Sequence, residues 1–132
     1  MEANETMLKM AMIAAYRTKK NRKRFVTTIN SFHGKSSLTV QIAGRDVWKE
    51  WQNPLSTDYY VNVPYGDWQA VEEEFKKGDV IAFLAETIQG EGGINIPPED
   101  YFPKVRELCD KYDVYMLLDE VQCGSCRDHC EV

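Results

Sequence analysis

Val114-Tyr115-Met116-Leu117-Leu118-Asp119-Glu120-Val121-Gln122 opens as an apolar run and closes on an acid. A second run, Val80-Ile81-Ala82-Phe83-Leu84-Ala85, ends in the same way at Glu86 and leads into Gln89-Gly90-Glu91-Gly92-Gly93. Short continuous apolar runs of this kind read as strands buried on both faces, as in a parallel sheet. Each run delivers an acid at its carboxyl end. In an open α/β sheet that edge is where ligands bind, so Glu86 and Asp119 are the first clue to the chemistry.

The rest of the chain supports such a sheet. Residues 3–17 are rich in Ala, Met and Leu without Gly or Pro, which predicts a helix buried on most sides. Phe25–Ile29 is short and β-branched and predicts a strand, Asn30–Gly34 a loop, and Ser36–Ala43 a short helix ended by Gly44. Asp58–Val63 predicts a further strand stopped by Pro64. In residues 67–77, Asp67 suits an N-cap, Trp68, Val71 and Phe75 share a face, and Gly78 follows the end. A last helix runs to about Tyr112, with Val105, Leu108 and Cys109 inward and Pro103 in its first turn, where a missing N–H is tolerated. Strands alternate with helices, so the expected class is α/β with a parallel, helix-covered sheet. Three or four strands with this few helices leave edges unpaired, so the sheet reads as part of a larger one, and the isolated chain is expected to aggregate or oligomerise.

Composition narrows the function classes. Of 132 residues, 43% are hydrophobic and 28% charged, ordinary for a globular domain. A net charge of -5 argues against a nucleic-acid partner, which would want a basic face. The one basic run, Arg17-Thr18-Lys19-Lys20-Asn21-Arg22-Lys23-Arg24, follows a helical segment, where cations suit a helix carboxyl end. No apolar stretch approaches the roughly 20 residues of a membrane span, and Met1–Glu5 carries two acids and no basic region before an apolar core. A cytoplasmic location is therefore expected. Cys109 falls in a helical pattern and reads as core, while Cys123, Cys126 and Cys130 crowd the end of the chain rather than forming a spread disulfide framework.

Several motifs occur in a telling order: Ala3-Asn4-Glu5-Thr6, Ser31-Phe32-His33-Gly34-Lys35, Val63-Pro64-Tyr65, Glu86-Thr87-Ile88-Gln89-Gly90-Glu91-Gly92-Gly93, Pro97-Pro98 and Leu118-Asp119-Glu120-Val121-Gln122-Cys123-Gly124. Together they resemble class III pyridoxal-phosphate aminotransferases of the ornithine, acetylornithine and putrescine type, with Phe32–Ser36 leaning toward the putrescine type. The resemblance implies the central part of the fold type I large domain over residues 1–124, and a divergent Cys-rich tail over 125–132. It implies pyridoxal 5'-phosphate as cofactor, an ω-amine or basic amino acid as amino donor, a 2-oxo acid as acceptor, and a homodimer.

The site follows residue by residue from that resemblance. Asp119 is the carboxylate beside the pyridine nitrogen, Val121 packs on one ring face, Phe32 stacks on the other, and Gln122 bonds the ring hydroxyl. His33 joins this cofactor-binding set near the substrate without an assigned role. Glu86 and Glu91 are the acids beside the substrate, one of which pairs in the family with an arginine from a later part of the chain. Alone, an Asp at a strand end would be a loop acid or an N-cap, Phe32 core, and the glycines an ordinary turn; as part of the ordered set, the glycines are expected to let backbone pass close to the ligand. Thr87 stands where the family usually has Pro, which puts the rigidity of that loop in question.

Two groups of family residues fall outside the resemblance. The phosphate-cradling segment precedes Glu2 in the family, and the Schiff-base lysine follows Gly124. Neither Lys104 nor Lys111 lies in a motif that would replace that lysine, so no catalytic residue is assigned and the chain alone is not expected to turn over. The alternative reading is a non-catalytic remnant that binds a partner through its sheet edges, or a metal through Cys123, Cys126, His129 and Cys130. Adjacent His129 and Cys130 would strain to ligate one ion, so no metal site is assigned.

Overall fold

The structure, a computed structural model, describes residues 1–18, 21–50 and 58–124. Four strands, β1 (Arg24–Thr28), β2 (Tyr60–Val63), β3 (Val80–Glu86) and β4 (Tyr115–Asp119), form one sheet in the order β2-β1-β3-β4. All three pairings are parallel. Helices α1 (Glu2–Arg17) and α2 (Ser37–Ile42) cover one face, and α3 (Trp68–Phe75) and α4 (Tyr101–Tyr112) the other. The chain leaves β1 toward β2 and leaves β3 toward β4, in opposite directions. The carboxyl ends of β1 and β3 therefore flank a switch point, the place where open α/β sheets bind ligands.

β3 is buried at every position because helices cover both its faces. Phe83 and Ala85 join Val26, Val71, Phe75, Tyr101 and Val105 in the core under α3 and α4. Ile81, Ala82 and Leu84 join Leu8, Ala11, Ala15 and Phe25 under α1. Ile81 and Ala82 are consecutive yet share a side, because the register with β1 slips between Arg24 and Phe25.

Local chemistry sets the helix ends. The Asp67 carboxylate accepts the Ala70 N–H at 2.9 Å and starts α3, as its N-cap pattern predicts. At the end of α4, Asp113 takes the left-handed conformation (φ 54°), and the Val114 N–H closes the turn onto Cys109 O at 2.9 Å. The basic run is expected to cap the helix it follows, but its Arg22 and Arg24 act elsewhere. Arg22 donates to the Tyr112 carbonyl of α4 at 2.9 Å and to that of Asp113, while Arg24 is clamped between Asp79 and Glu74. Lys19 and Lys20 lie outside the described residues.

Three expectations are corrected. α1 is not buried on most sides: its buried stripe is Asn4, Leu8, Ala11 and Ala15, at helical spacing, while Met10, Ile13 and Tyr16 are exposed. β4 is not buried on both faces: Tyr115 is exposed and Met116, Leu117 and Leu118 are half-buried. Among the described residues β4 pairs only with β3, and an apolar groove lined by Met7, Met10, Ala14, Tyr115 and Leu117 runs between α1 and the open β4 edge.

Gly44 is not a left-handed helix terminator either. Its amide and carbonyl bond to Ser31 O and Asn30 N at 3.1 and 3.0 Å. A Cβ there would sit 2.2 Å from Thr28 O and 2.4 Å from Asn30 N, so only glycine lets α2's exit lie against the end of β1. Gly44→Ala is expected to lower unfolding free energy by about 2 kcal/mol or more, the cost of overpacking against backbone that has little room to yield. Urea denaturation checks this, and an unchanged midpoint would contradict it.

Candidate active site at the carboxyl edge of the sheet

The loop after β1, the loop after β3, the end of β4 and the first turn of α1 enclose a cleft of about 510 Å³. Phe32, His33, Glu86, Glu91, Asp119, Val121 and Gln122 all line it, so residues up to 90 positions apart in sequence meet in one place. Met1, Asn4, Gly34 and Lys35 complete the lining. The β3–β4 register sets Glu86 directly beside Asp119.

Asp119 is buried and well supplied with donors. Its Oδ2 lies 2.7 Å from Asn4 Nδ2 and 2.8 Å from His33 Nδ1, and its Oδ1 accepts the Val121 N–H at 3.1 Å. Burial opposes ionisation, but the His33 bond, the Val121 amide and Asn4 outweigh it and hold the carboxyl below its ordinary range. A carboxylate offers about four acceptor positions, of which the described residues fill three. The remaining one belongs to Oδ1.

Glu86 is used differently. Its two oxygens accept the Phe32 N–H at 2.9 Å and the Gly90 N–H at 3.3 Å, tying the loop after β1 to the loop after β3. Burial nonetheless pushes its carboxyl above the ordinary value, with those two amides opposing the shift. Glu86 is engaged with backbone, whereas Glu91 lines the cleft, is exposed and makes no ion pair among the described residues.

Phe32 is half-buried, and its ring stands edge-on to Trp48 at 5.2 Å, with Arg45 over the Trp48 ring. Val121 is 72% exposed, leaving its side chain available to a ligand. Gln122 reaches across Gly90, where a Cβ would fall 1.7 Å from its Oε1. At Gly92 a Cβ would meet Asn30 O at 2.8 Å. These glycines thus give room to the chain's own groups. With Thr87 in place of Pro, the loop is pinned by the Gln89–Asn95 bridge, by buried Gln89 donating to Ile29 O at 2.8 Å, and by Tyr65 donating to Thr87 O at 2.8 Å.

Asn4 and Trp48 escaped the sequence reading. Asn4 looked like one position in a motif, and nothing in its spacing announced a contact 115 residues away. Lys104 and Lys111 sit on α4 and pair with Glu107 and Glu72, outside the cleft lining. Cys123 lies 3.6 Å from the Ile88 carbonyl, and among the described residues no group of His, Cys, Asp and Glu could hold a metal ion. Cys126, His129, Cys130 and the rest of the tail lie outside the described residues, and among those described no helix is long and apolar enough to cross a membrane.

Comparison with known proteins now decides the family. The model of "Aminotransferase class-III" matches residues 1–128. The chain belongs to the class III aminotransferase family. An uncharacterized aminotransferase of Schizosaccharomyces pombe is 45% identical over 128 residues, 96% of this chain and 26% of that protein. The acetylornithine aminotransferase of Nitrosomonas europaea is 36% identical over 127 residues, 96% of the chain and 32% of that protein. Among solved structures, an ornithine aminotransferase of Toxoplasma gondii, with pyridoxal phosphate at partial occupancy in its active site, superposes with a TM-score of 0.88 at 32% identity, covering 96% of the chain and 30% of its partner. The chain thus spans about a quarter to a third of the length of these relatives.

The two acids predict opposite pH dependences. Asp119 titrates below its ordinary 3.8 in the folded chain, so the stability it contributes is complete above that value and lost as pH falls through the folded one. Glu86 titrates above its ordinary 4.5, so stability declines as pH rises from there through its folded value. Urea denaturation across the acid range should show Asp119→Asn flattening the acid-side loss and Glu86→Gln flattening the decline above it. Slopes unchanged in both variants would contradict the assignment.

Proposed function

We propose that the cleft is the ring-binding half of a pyridoxal-phosphate site, and that the whole protein is a transaminase moving an amino group from an ω-amine or basic amino acid to a 2-oxo acid. The observation that carries this reading is Asp119: a buried carboxylate, held ionised, with one acceptor position unfilled. Such a group suits a protonated heterocyclic nitrogen. Pyridoxal phosphate, when bound, supplies an electron sink for the donor's α-carbon, effective when its ring nitrogen carries a proton.

The chain's own residues have definite parts in this reading. Asp119 holds the proton at the ring nitrogen. Phe32, backed by Trp48, offers a flat apolar face on one side of the ring. Val121 covers the opposite face, and the Gln122 amide reaches the ring hydroxyl. Met1, the residue before α1, lines the cleft, so the positive end of that helix's dipole favours the phosphate. Glu91 attracts the ammonium of a basic donor, and the acidic lining as a whole favours a cationic substrate.

A homodimer with the site near the subunit interface, in the cytoplasm, is part of the same proposal. The relatives named for ornithine and acetylornithine support a basic amino donor. The lysine that completes the family's chemistry is expected from the portion of the relatives this chain does not match. Lys35 is the lysine found in the cleft lining, and it is exposed.

Equilibrium dialysis of the 132-residue chain against pyridoxal phosphate tests the reading. Asp119→Ala should weaken binding by about tenfold to a hundredfold, the worth of a charge-assisted hydrogen bond, and Phe32→Ala by about tenfold. Borohydride reduction followed by peptide mass analysis should give no single dominant lysine adduct. Wild-type affinity in a folded Asp119→Ala chain, or one specific adduct, would overturn the corresponding part.

A further inference from the structure

Asn4 is 3% exposed, sits in the first turn of α1, and sends both of its amide hydrogens into the site. One goes to the His33 carbonyl at 2.9 Å and the other to Asp119 Oδ2 at 2.7 Å. His33, with a fully buried side chain, meets the same Oδ2 through Nδ1 at 2.8 Å. Its Nε2 is buried without a hydrogen-bond partner among the described residues. A ring proton on Nε2 would be stranded, whereas one on Nδ1 has a carboxylate to meet, so the geometry selects the Nδ1-protonated ring.

We propose that Asn4 is a positioning residue for the cofactor ring: its amide locks the Asp119 carboxylate and the His33 imidazole into the one arrangement that leaves only Oδ1 of Asp119 with room for another donor. With Asn4 and His33 both on Oδ2, the carboxylate can neither swivel nor offer that oxygen to the ring nitrogen. With Asn4 removed, Oδ2 regains an acceptor position, the carboxylate can rotate, and the His33 proton loses its fixed acceptor. The same amide also anchors the Phe32–Gly34 loop to α1 through the His33 carbonyl, so the aromatic ring face and the acid are set by one side chain. This inference rests on Asp119 being the acid beside the ring nitrogen.

Its test therefore has a readout that needs no cofactor. Long-range proton–nitrogen NMR of the ¹⁵N-labelled 132-residue chain reads the imidazole tautomers, and His129→Gln resolves His33 from the second histidine. The wild-type chain should carry the His33 proton on Nδ1. In Asn4→Ala, with folding checked by circular dichroism, an Nε2-protonated population should appear, and affinity for pyridoxal phosphate should fall about tenfold. Asn4→Ser, smaller and keeping one donor, should fall between the two and carries the comparison where Asn4→Ala does not fold. A wild-type proton on Nε2, or a folded Asn4 variant with unchanged tautomer and affinity, overturns the proposal. Absence of cofactor binding by the wild-type chain would instead overturn the site reading, and the tautomer measurement would still decide the role of Asn4.

Discussion

The parallel register of β3 and β4 places Glu86 and Asp119 as direct neighbours, two buried carboxyl groups at adjacent strand ends. In a parallel pair such ends lie about 5 Å apart, close enough that two bare carboxylates would repel each other strongly in a low-dielectric setting. The fold resolves this by dividing the donors. Asp119 receives an amide from α1, an imidazole from the loop after β1 and the Val121 amide, and remains ionised. Glu86 receives two backbone amides, and burial together with the neighbouring charge raises its carboxyl. One acid thus stands ready for a cation, and the other ties loops together.

The surrounding structure follows from keeping that arrangement in place. Phe32 can present a ring to the cleft because Glu86 holds its backbone and Trp48 supports its edge. Gln122 can lie across the loop after β3 because position 90 lacks a Cβ. The loop after β1 can turn sharply because Gly44 admits the backbone of residues 28–31 within bonding distance. The switch point between β1 and β3 positions all of these groups at one edge, which is why a single cleft collects residues from the start, middle and end of the chain.

Much of the fold was legible in the sequence because its signals are local. The continuous apolar runs ending at Glu86 and Asp119 announced parallel strands, although only the first is buried throughout, and Asp67 announced the start of α3, each through chemistry confined to a few neighbouring residues. The cleft was legible for a different reason: an ordered set of motifs named its members, although periodicity alone would have made Phe32 core and Asp119 a loop acid. What the sequence concealed depends on distant contacts. The outer face of α1 looks apolar enough to be buried, yet Met10, Ile13 and Tyr16 on it are exposed. Gly44 resembled a helix terminator until the backbone of β1's exit appeared against it. Asn4 and Trp48 carry no local mark of their roles, since each acts on a residue from another element.

All of these interactions converge on the charge of one carboxylate, and that charge can be read from the ligand itself. Pyridoxal phosphate labelled with ¹⁵N in its ring, bound to the 132-residue chain, reports by NMR whether its nitrogen is protonated. A protonated nitrogen at neutral pH on the wild-type chain, and an unprotonated one on Asp119→Asn, is the expected result. An unprotonated nitrogen on the wild-type chain would contradict the role given to Asp119.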